Sequence, residues 1–369
     1  MHSENDFTRL ELKLPACRDN FRYFRSLLRP RTRMLVLVKA NAYGHGAVEF
    51  AAMMQQCGAD YLAVALPVEG IELRKAGISL PILVLTAGTD FFEEMIEYRL
   101  EPGIPNLHTL KALCEVLKKR EIKRFPVHVK LDTGMHRLGF CPEEIDGLTE
   151  FLKGRDEVEV KSIYSHLAAA EDPSEDAFTL CQIHSFGTGA AKISEELGYK
   201  PLWHVLNSAG IERFPDWQYD MVRLGIGVYG ISAIPGRKLS PVASLKVKIL
   251  QIKKLDNPGD TIGYGRHGKV SPGGTVIATI PAGYADGLDR HLGRGGASFS
   301  LNGHRVPTIG NICMDMCMLD ITGVDAKVGD TVTIFGAEPS AAHMAEVLGT
   351  IPYEIFTSVP RRIERVVVK

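Results

Sequence analysis

A (β/α)8 barrel (a TIM barrel, α/β) followed by a smaller, mainly β domain is the fold class the sequence predicts, and three observations predict it. Over the first two thirds of the chain, short and nearly continuous apolar runs alternate with segments of helical spacing, the pattern of a parallel sheet covered on both faces. Eight such units occur, which favours a closed barrel over an open doubly wound sheet, although periodicity alone leaves both open. The composition then changes near Ile231 to Pro241, where Pro235, Gly236 and Pro241 make a hinge, and the strands beyond it are short and rich in turns. The domains read as residues 8–240 and 241–369, with residues 1–7 as candidates to join the second.

In chain order, the barrel strands are expected at Met34 to Lys39, Tyr61 to Leu66, Pro81 to Thr86, Leu100 to Ile104, Pro126 to Leu131, Val160 to Ser165, Trp203 to Leu206 and Met221 to Tyr229. Helical spacing is clear in Leu107 to Lys119, Glu143 to Leu152 and Ser174 to Leu197. After the hinge, strands are expected at Leu245 to Ile252, Thr275 to Ile280, Val306 to Ile309, Met316 to Ile321 and Thr331 to Phe335. Turns at Asn257-Pro258-Gly259-Asp260 and Ser271-Pro272-Gly273-Gly274 separate the first of these. A helix from Ala341 to Leu348 precedes a last strand, Arg361 to Lys369.

Composition narrows the partners. A formal net charge of −1 over 369 residues gives no basic field for nucleic acid and no polybasic patch for a membrane surface. Met1 to Asp6 carries acidic residues and no apolar core of a signal peptide, and no apolar run approaches a membrane span, so a cytoplasmic protein is expected. Seven scattered cysteines form no disulfide framework. Only Cys313 and Cys317 are close, and without a histidine or carboxylate at ligand spacing they read as reduced core residues, with no metal site.

Lys39 ends the first candidate barrel strand, and barrel active sites lie at the C-terminal strand ends. A lysine closing an apolar strand is half desolvated, which lowers its pKa and suits its amine to Schiff-base chemistry. Taken alone, such a lysine more often just reaches to solvent. Here small residues follow it in Val38-Lys39-Ala40-Asn41-Ala42-Tyr43-Gly44-His45-Gly46, leaving room for a flat ligand, with the Tyr43 hydroxyl four residues on. Near the seventh and eighth strand ends, Ser208 opens a short helix and Arg223-Leu224-Gly225-Ile226-Gly227 follows an apolar run. Barrels commonly bind phosphate there, so Ser208, Gly225 and Ile226 form a candidate anion site.

The stretch from Val38 to Gly46 resembles the pyridoxal-phosphate lysine motif of the alanine racemase family, and further motifs follow in that family's order along nearly the whole chain. The resemblance implies a barrel enzyme that interconverts L- and D-alanine, supplies D-alanine for peptidoglycan, and works as a homodimer with active sites shared between subunits. It assigns Lys39 and Tyr264, in Gly263-Tyr264-Gly265, as the two catalytic bases. It assigns Tyr43, His166, Ser208, Arg223, Gly225, Ile226 and Tyr353 to cofactor binding, alongside Lys39. Arg137, in Lys130-Leu131-Asp132-Thr133-Gly134-Met135-His136-Arg137, and the backbone amide at Met314 are assigned to the substrate. Lys130 matches a position often carbamylated in the family. Tyr284, in Gly283-Tyr284-Ala285-Asp286-Gly287, matches the substrate entrance, and Asp315 follows Met314 in the carboxylate-binding loop. The chain departs from the family where Asn311 replaces a common arginine, where Glu171 replaces a common aspartate, and in a shorter Ser358 to Arg362 segment. Arg223 bears on reaction type. An arginine keeps its proton at working pH and so leaves a cofactor ring nitrogen unprotonated, which favours reprotonation at the α-carbon over transamination. Two other readings stay open at this point: a racemase for another or broader set of amino acids, and a non-catalytic pyridoxal-phosphate-binding protein. Such binding proteins resemble the barrel half alone, so the second domain argues against the latter.

Overall fold

The computed structural model describes residues 7–368. Met1 to Asp6, and with them the expectation about the chain start, lie outside the described residues. The described residues pack as two units, one made of Arg18–Ala42 and Ala47–Leu239, the other of residues 7–17, Tyr43–Gly46 and residues 240–368. The first strand, β1 (Thr8–Lys13), belongs to the second unit.

The first unit is the barrel. Its parallel strands are β2 (Arg33–Leu37), β3 (Tyr61–Val64), β4 (Ile82–Val84), β5 (Glu101–Ile104), β6 (Phe125–Lys130), β7 (Val158–Tyr164), β8 (Leu202–His204) and β9 (Met221–Leu224). They pair in the order β8-β7-β6-β5-β4-β3-β2-β9. Two further backbone bonds, Asp220 N to Trp203 O at 3.1 Å and Arg223 N to Leu206 O at 3.0 Å, join β9 to β8 and close the ring. Leu35, Val36, Leu62, Ala63, Leu83 and Val84 are fully buried, which is why these strands read as continuous apolar runs rather than alternating ones. The outer helix Leu107–Lys119 shows how a covering element is specified. Asn106 caps it by accepting from Thr109 N, Leu110, Leu113 and Leu117 bury one face, and Lys118 and Lys119 sit at the negative end of the dipole. Each buried leucine contributes roughly 1.5–3 kcal/mol, and Leu113→Ala would cost about 2–5 kcal/mol.

The second unit contains β10 (Ala243–Lys248), β11 (Gln251–Leu255), β12 (Thr261–Ile262), β13 (Gly268–Lys269), β14 (Thr275–Ile280), β15 (Ser298–Leu301), β16 (His304–Pro307), β17 (Cys317–Asp320), β18 (Thr331–Phe335) and β19 (Glu364–Val368). They form a six-stranded sheet in the order β16-β15-β18-β10-β1-β19, a three-stranded sheet β11-β14-β17 and a ribbon β12-β13.

Three sequence expectations need correction. Residues 8–13, assigned to the barrel domain, pair instead with β10 antiparallel and β19 parallel, because the half-buried Thr8–Lys13 run fills the gap between those strands. The single strand expected at Leu245 to Ile252 is two, since the chain leaves the six-stranded sheet at Ile249 and Leu250 and enters the three-stranded one. The strand expected to reach Tyr229 stops at Leu224, and Ile226–Tyr229 coils into a 3-10 turn in which Gly227 lies against Phe24.

Candidate active site

Lys39 stands two residues beyond β2 and is half-buried. After it the backbone turns left-handed through four non-glycine residues: Ala40, Asn41, Ala42 and Tyr43 have φ of 51°, 55°, 51° and 50°. A bond from Ala42 N to Val38 O, 2.9 Å, closes this turn. Each such residue costs about 1–2 kcal/mol, so neighbours must hold the turn in place. Glu69 does so from the next barrel unit: one carboxylate oxygen accepts from Ala40 N at 2.5 Å, the other from Ala65 N and Leu66 N at 2.7 and 3.0 Å. Asn41 Oδ1 accepts from Ala47 N at 3.0 Å, fastening the far side to the helix Ala47–Gln56. Burial lowers the Lys39 pKa, the Arg137 charge lowers it further, and Glu69 opposes both. The amine is therefore easier to free of its proton than an ordinary lysine.

Arg223 in β9 is 3% exposed with no carboxylate within 4 Å among the described residues. Its Nη1 donates to His204 Nδ1 at 3.0 Å and His204 O at 2.9 Å. Nη2 donates to Ser165 O and Val205 O at 2.5 and 2.9 Å and lies 3.3 Å from His166 Nδ1. Four of its five N–H groups are thereby spent on the protein, and only the Nε–H has no partner among the described residues. Burial lowers the Arg223 pKa to about 10, which still leaves it charged at neutral pH. Burial first, then Arg223, holds His166 and His204 well below the usual imidazole range, so both rings are neutral. Tyr164 stacks on His204, with centroids 5.2 Å apart, and Arg223 lies over the same tyrosine ring.

Lys130, 6% exposed at the end of β6, donates to Leu138 O at 2.9 Å. Burial, followed by the charges of Arg137 and Arg223, lowers its pKa to about 8. Arg137 itself is exposed, on a loop that Asp132 shapes by accepting from Gly134 N and His136 N. Ser208 begins the helix Ser208–Arg213, behind an Asn207 cap that accepts from Gly210 N. The Ser208 hydroxyl accepts from Gly225 N at 2.9 Å and Gly227 N at 3.2 Å, which ties the loops after β8 and β9 together. First amides of helical turns have no partner within their own element, so those opening at Ser208 and Ile226 suit an anion.

Within the second unit, the Tyr43 and Tyr353 rings lie 5.7 Å apart, and Tyr43 is buried. Gly44 has φ +81°, and a Cβ there would stand 2.1 Å from Phe356 O. Arg365 donates twice to Gly44 O, at 3.0 and 2.9 Å. Tyr264 is 74% exposed between two glycines of positive φ, with its carbonyl held by Asn311 Nδ2 at 2.7 Å. Asn311 also accepts from Arg294 Nε at 2.7 Å, so an arginine reaches this position from elsewhere in the chain. Tyr284 and Met314 are exposed on adjoining loops, joined by Tyr284 N to Cys313 O and Ala285 N to Met314 O. Arg362 bridges Asp286 and Asp315 beneath them, each at 2.8 Å. Glu171 is exposed. All seven cysteines are free thiols, with Cys317 buried and Cys313 half-buried. Among the described residues no helix is long and apolar enough to cross a membrane, and no cluster of three or more His, Cys, Asp or Glu could hold a metal.

Family models for the N-terminal and C-terminal domains of alanine racemase match residues 12–233 and 242–367. The chain belongs to the alanine racemase family. It is 37% identical to an alanine racemase of Synechocystis over 370 residues, covering 97% of this chain and 98% of that one. The solved alanine racemase of Clostridium difficile 630 superposes with a TM-score of 0.92 at 36% identity, covering 99% of this chain and 96% of that one. An alanine racemase of Bartonella henselae, solved with covalently bound pyridoxal phosphate, gives 0.88 at 28% identity and covers 98% of this chain and all of that one.

The donor set fits the cofactor this family implies. A pyridoxal phosphate needs an amine of lowered pKa, amides for a phosphate and a donor toward its ring nitrogen. Lys39, the turns at Ser208 and Ile226, and the unspent Arg223 Nε–H offer those three things in one barrel. Glu69, Asn207, Arg362 and Arg365 are supporting residues that motif reading missed. Only Glu69 and Asn207 left a local signal, the first a glutamate three residues beyond Leu66 at a helix start with Pro67 first in the helix, the second an asparagine at a helix start.

Proposed function

We propose that this chain interconverts L-alanine and D-alanine with pyridoxal phosphate, as a homodimer in which each active site takes residues from both copies. The observation that carries the reading is Arg223: a buried guanidinium with no carboxylate partner and one N–H unspent. Pyridoxal phosphate, when bound, supplies an electron sink that makes the α-hydrogen of an attached amino acid acidic.

Lys39 would hold the cofactor covalently, and the turns at Ser208, Gly225 and Ile226, with the Tyr43 and Tyr353 hydroxyls, would hold its phosphate. His166 would lie against its ring, and the Arg223 Nε–H would meet the ring nitrogen. Because arginine does not give up its proton, it leaves that nitrogen unprotonated and weakens the sink. The proton then returns to the α-carbon, and racemisation wins over transamination. Arg137 would orient the substrate carboxylate, with the Met314 amide on the same group, Tyr284 at the entrance and Asp315 fixing the loop. Lys130, whose amine is half deprotonated near pH 8, can take up carbon dioxide as a carbamate and so become an anion beside Arg137.

Inverting a stereocentre requires a proton to leave from one face and arrive on the other. Lys39 serves the D enantiomer and Tyr264 of the partner subunit the L enantiomer, since neither alone reaches both faces in good geometry. Tyr264 is exposed on its own unit, as a residue serving a second copy would be. A cytoplasmic supply of D-alanine for peptidoglycan follows as the biological role.

The test is to incubate a panel of L-amino acids with purified protein and pyridoxal phosphate and follow the loss of optical rotation. Alanine should racemise fastest, and Lys39→Ala should abolish turnover. Optically stable alanine beside a racemising longer amino acid would overturn the substrate assignment. Borohydride-reduced cofactor mapped to any other lysine would overturn the role of Lys39.

A further inference from the structure

One polar residue from each of five consecutive barrel strands forms a hydrogen-bonded belt inside the first unit. Glu101 of β5 meets His128 Nε2 of β6 at 2.7 Å. His128 Nδ1 meets the Ser162 hydroxyl of β7 at 2.6 Å, and that hydroxyl meets His204 Nε2 of β8 at 2.8 Å. His204 Nδ1 receives Arg223 of β9 at 3.0 Å. His128, Ser162 and His204 are fully buried, and the Glu101 side chain is only 13% exposed.

The chemistry of the two ends dictates every proton between them. Arginine only donates and an ionised carboxylate only accepts. From the Arg223 end, His204 Nδ1 must be bare, so its proton is on Nε2 and is donated to Ser162. The serine proton is then donated to His128 Nδ1, which leaves the His128 proton on Nε2 for Glu101. Starting from Glu101 gives the same assignment, so the belt has one direction and no conflict. A proton on His204 Nδ1 would instead face the Arg223 Nη1–H, donor against donor, and turn the guanidinium away.

We propose that Glu101, His128 and Ser162 are positioning residues for Arg223: their one-way donor chain keeps His204 Nδ1 as an acceptor, which fixes the guanidinium with its Nε–H free for the site. Such a chain also links the buried positive charge to a carboxylate four bonds away, and polarised bonds strengthen one another in a dry interior. The inference rests on Arg223 having the role given above.

Histidine-selective 15N labelling of the protein as isolated reads the proton positions directly. Both His128 and His204 should carry their proton on Nε2 only. A proton on Nδ1 of either ring, or a doubly protonated His128, would overturn the proposal. Ser162→Ala cuts the chain: the Nδ1–H form of His204 should appear, and kcat for alanine should fall about tenfold, the scale of losing an outer partner of a functional group, with KM little changed. Ser162→Thr, which keeps the hydroxyl, should restore both. Glu101→Gln still offers an accepting oxygen and should keep the proton pattern, whereas Glu101→Leu should behave like Ser162→Ala. Combining Glu101→Leu with Ser162→Ala should add no further loss, because the chain is already cut; additive losses would overturn the linkage. An unchanged kcat in Ser162→Ala, with His204 redistributed, would overturn the positioning role. Failure of the Arg223 reading itself shows separately, as an Arg223→Glu variant whose partition between racemisation and transamination is unchanged while the wild-type proton pattern stands.

Discussion

Two buried candidate residues of the barrel unit, Arg223 and Lys130, are held by their own unit, whereas Tyr264 and Met314, candidates of the second unit, stand in the open. Arg223 is 3% exposed and spends four of its donors on neighbours, and Lys130 is 6% exposed with its ammonium on a backbone carbonyl. Tyr264 is 74% exposed and Met314 55%, and what holds each of them is backbone or the loop beneath. Groups that tune a cofactor must be dry and fixed, because desolvation and neighbouring charge are what move their pKa values. Groups that serve another copy must be presented outward on a rigid mount. In the proposed homodimer, the exposure of Tyr264 and Met314 on their own unit is what would present them to the other copy.

The sharpest way to break this comparison is subunit mixing. Lys39→Ala and Tyr264→Phe homodimers should each lose on the order of a hundredfold or more in kcat. A heterodimer of the two should regain up to about one good site, because the intact residues meet in one of its two sites and paired losses are not additive. An inactive mixture, with exchange verified by mass, would place Tyr264 in its own chain's site.

Arg223→Glu probes the buried side of the contrast. Protonation of the ring nitrogen should slow racemisation by about a hundredfold, roughly 3 kcal/mol, and raise the share of turnovers ending in transamination, read as pyruvate formed per D-alanine. An unchanged partition would remove the electronic role of the arginine.

Gly44→Ala tests the mount rather than the chemistry. With φ at +81° and the new methyl 2.1 Å from Phe356 O, it should destabilise the protein by about 2–4 kcal/mol in urea denaturation. A neutral result would mean that the Gly44 backbone is free to move.

The smallest effect concerns Lys130. Its pKa is about 8 in the fold against an ordinary 10.5, so between those values the unfolded chain binds more protons and stability rises with pH. In carbonate-free buffer the rise should be about 1–2 kcal/mol over two pH units, and Lys130→Met should flatten it. A slope that survives in that variant would have to come from another group.

The barrel was legible because buried parallel strands advertise themselves as apolar runs, and the antiparallel Thr275–Ile280 and Thr331–Phe335 match their expected bounds because β-branched and apolar residues fill them. β1 was not, since nothing local in Thr8–Lys13 says that its partners lie more than two hundred and three hundred residues on. Lys39, Arg223 and Tyr264 were legible from motifs as candidates. The left-handed turn after Lys39 was not, because Ala-Asn-Ala-Tyr has no glycine and the turn is held by Glu69 from another unit of the barrel. Glu101, His128 and Ser162 each read as an ordinary strand residue, and only the closed barrel brings them into line.

β1 also orders events during synthesis. A ribosome releases Thr8–Lys13 before any barrel strand, yet the strands on either side of it are Ala243–Lys248 and Glu364–Val368. At about 5–20 residues per second, the later neighbour follows on the order of tens of seconds behind. All eight barrel strands emerge within that interval and can close first, while Thr8–Lys13 waits with both edges unpaired. The six-stranded sheet thus becomes complete only after every barrel strand has emerged, and any chain cut short before Glu364 leaves one side of Thr8–Lys13 permanently open.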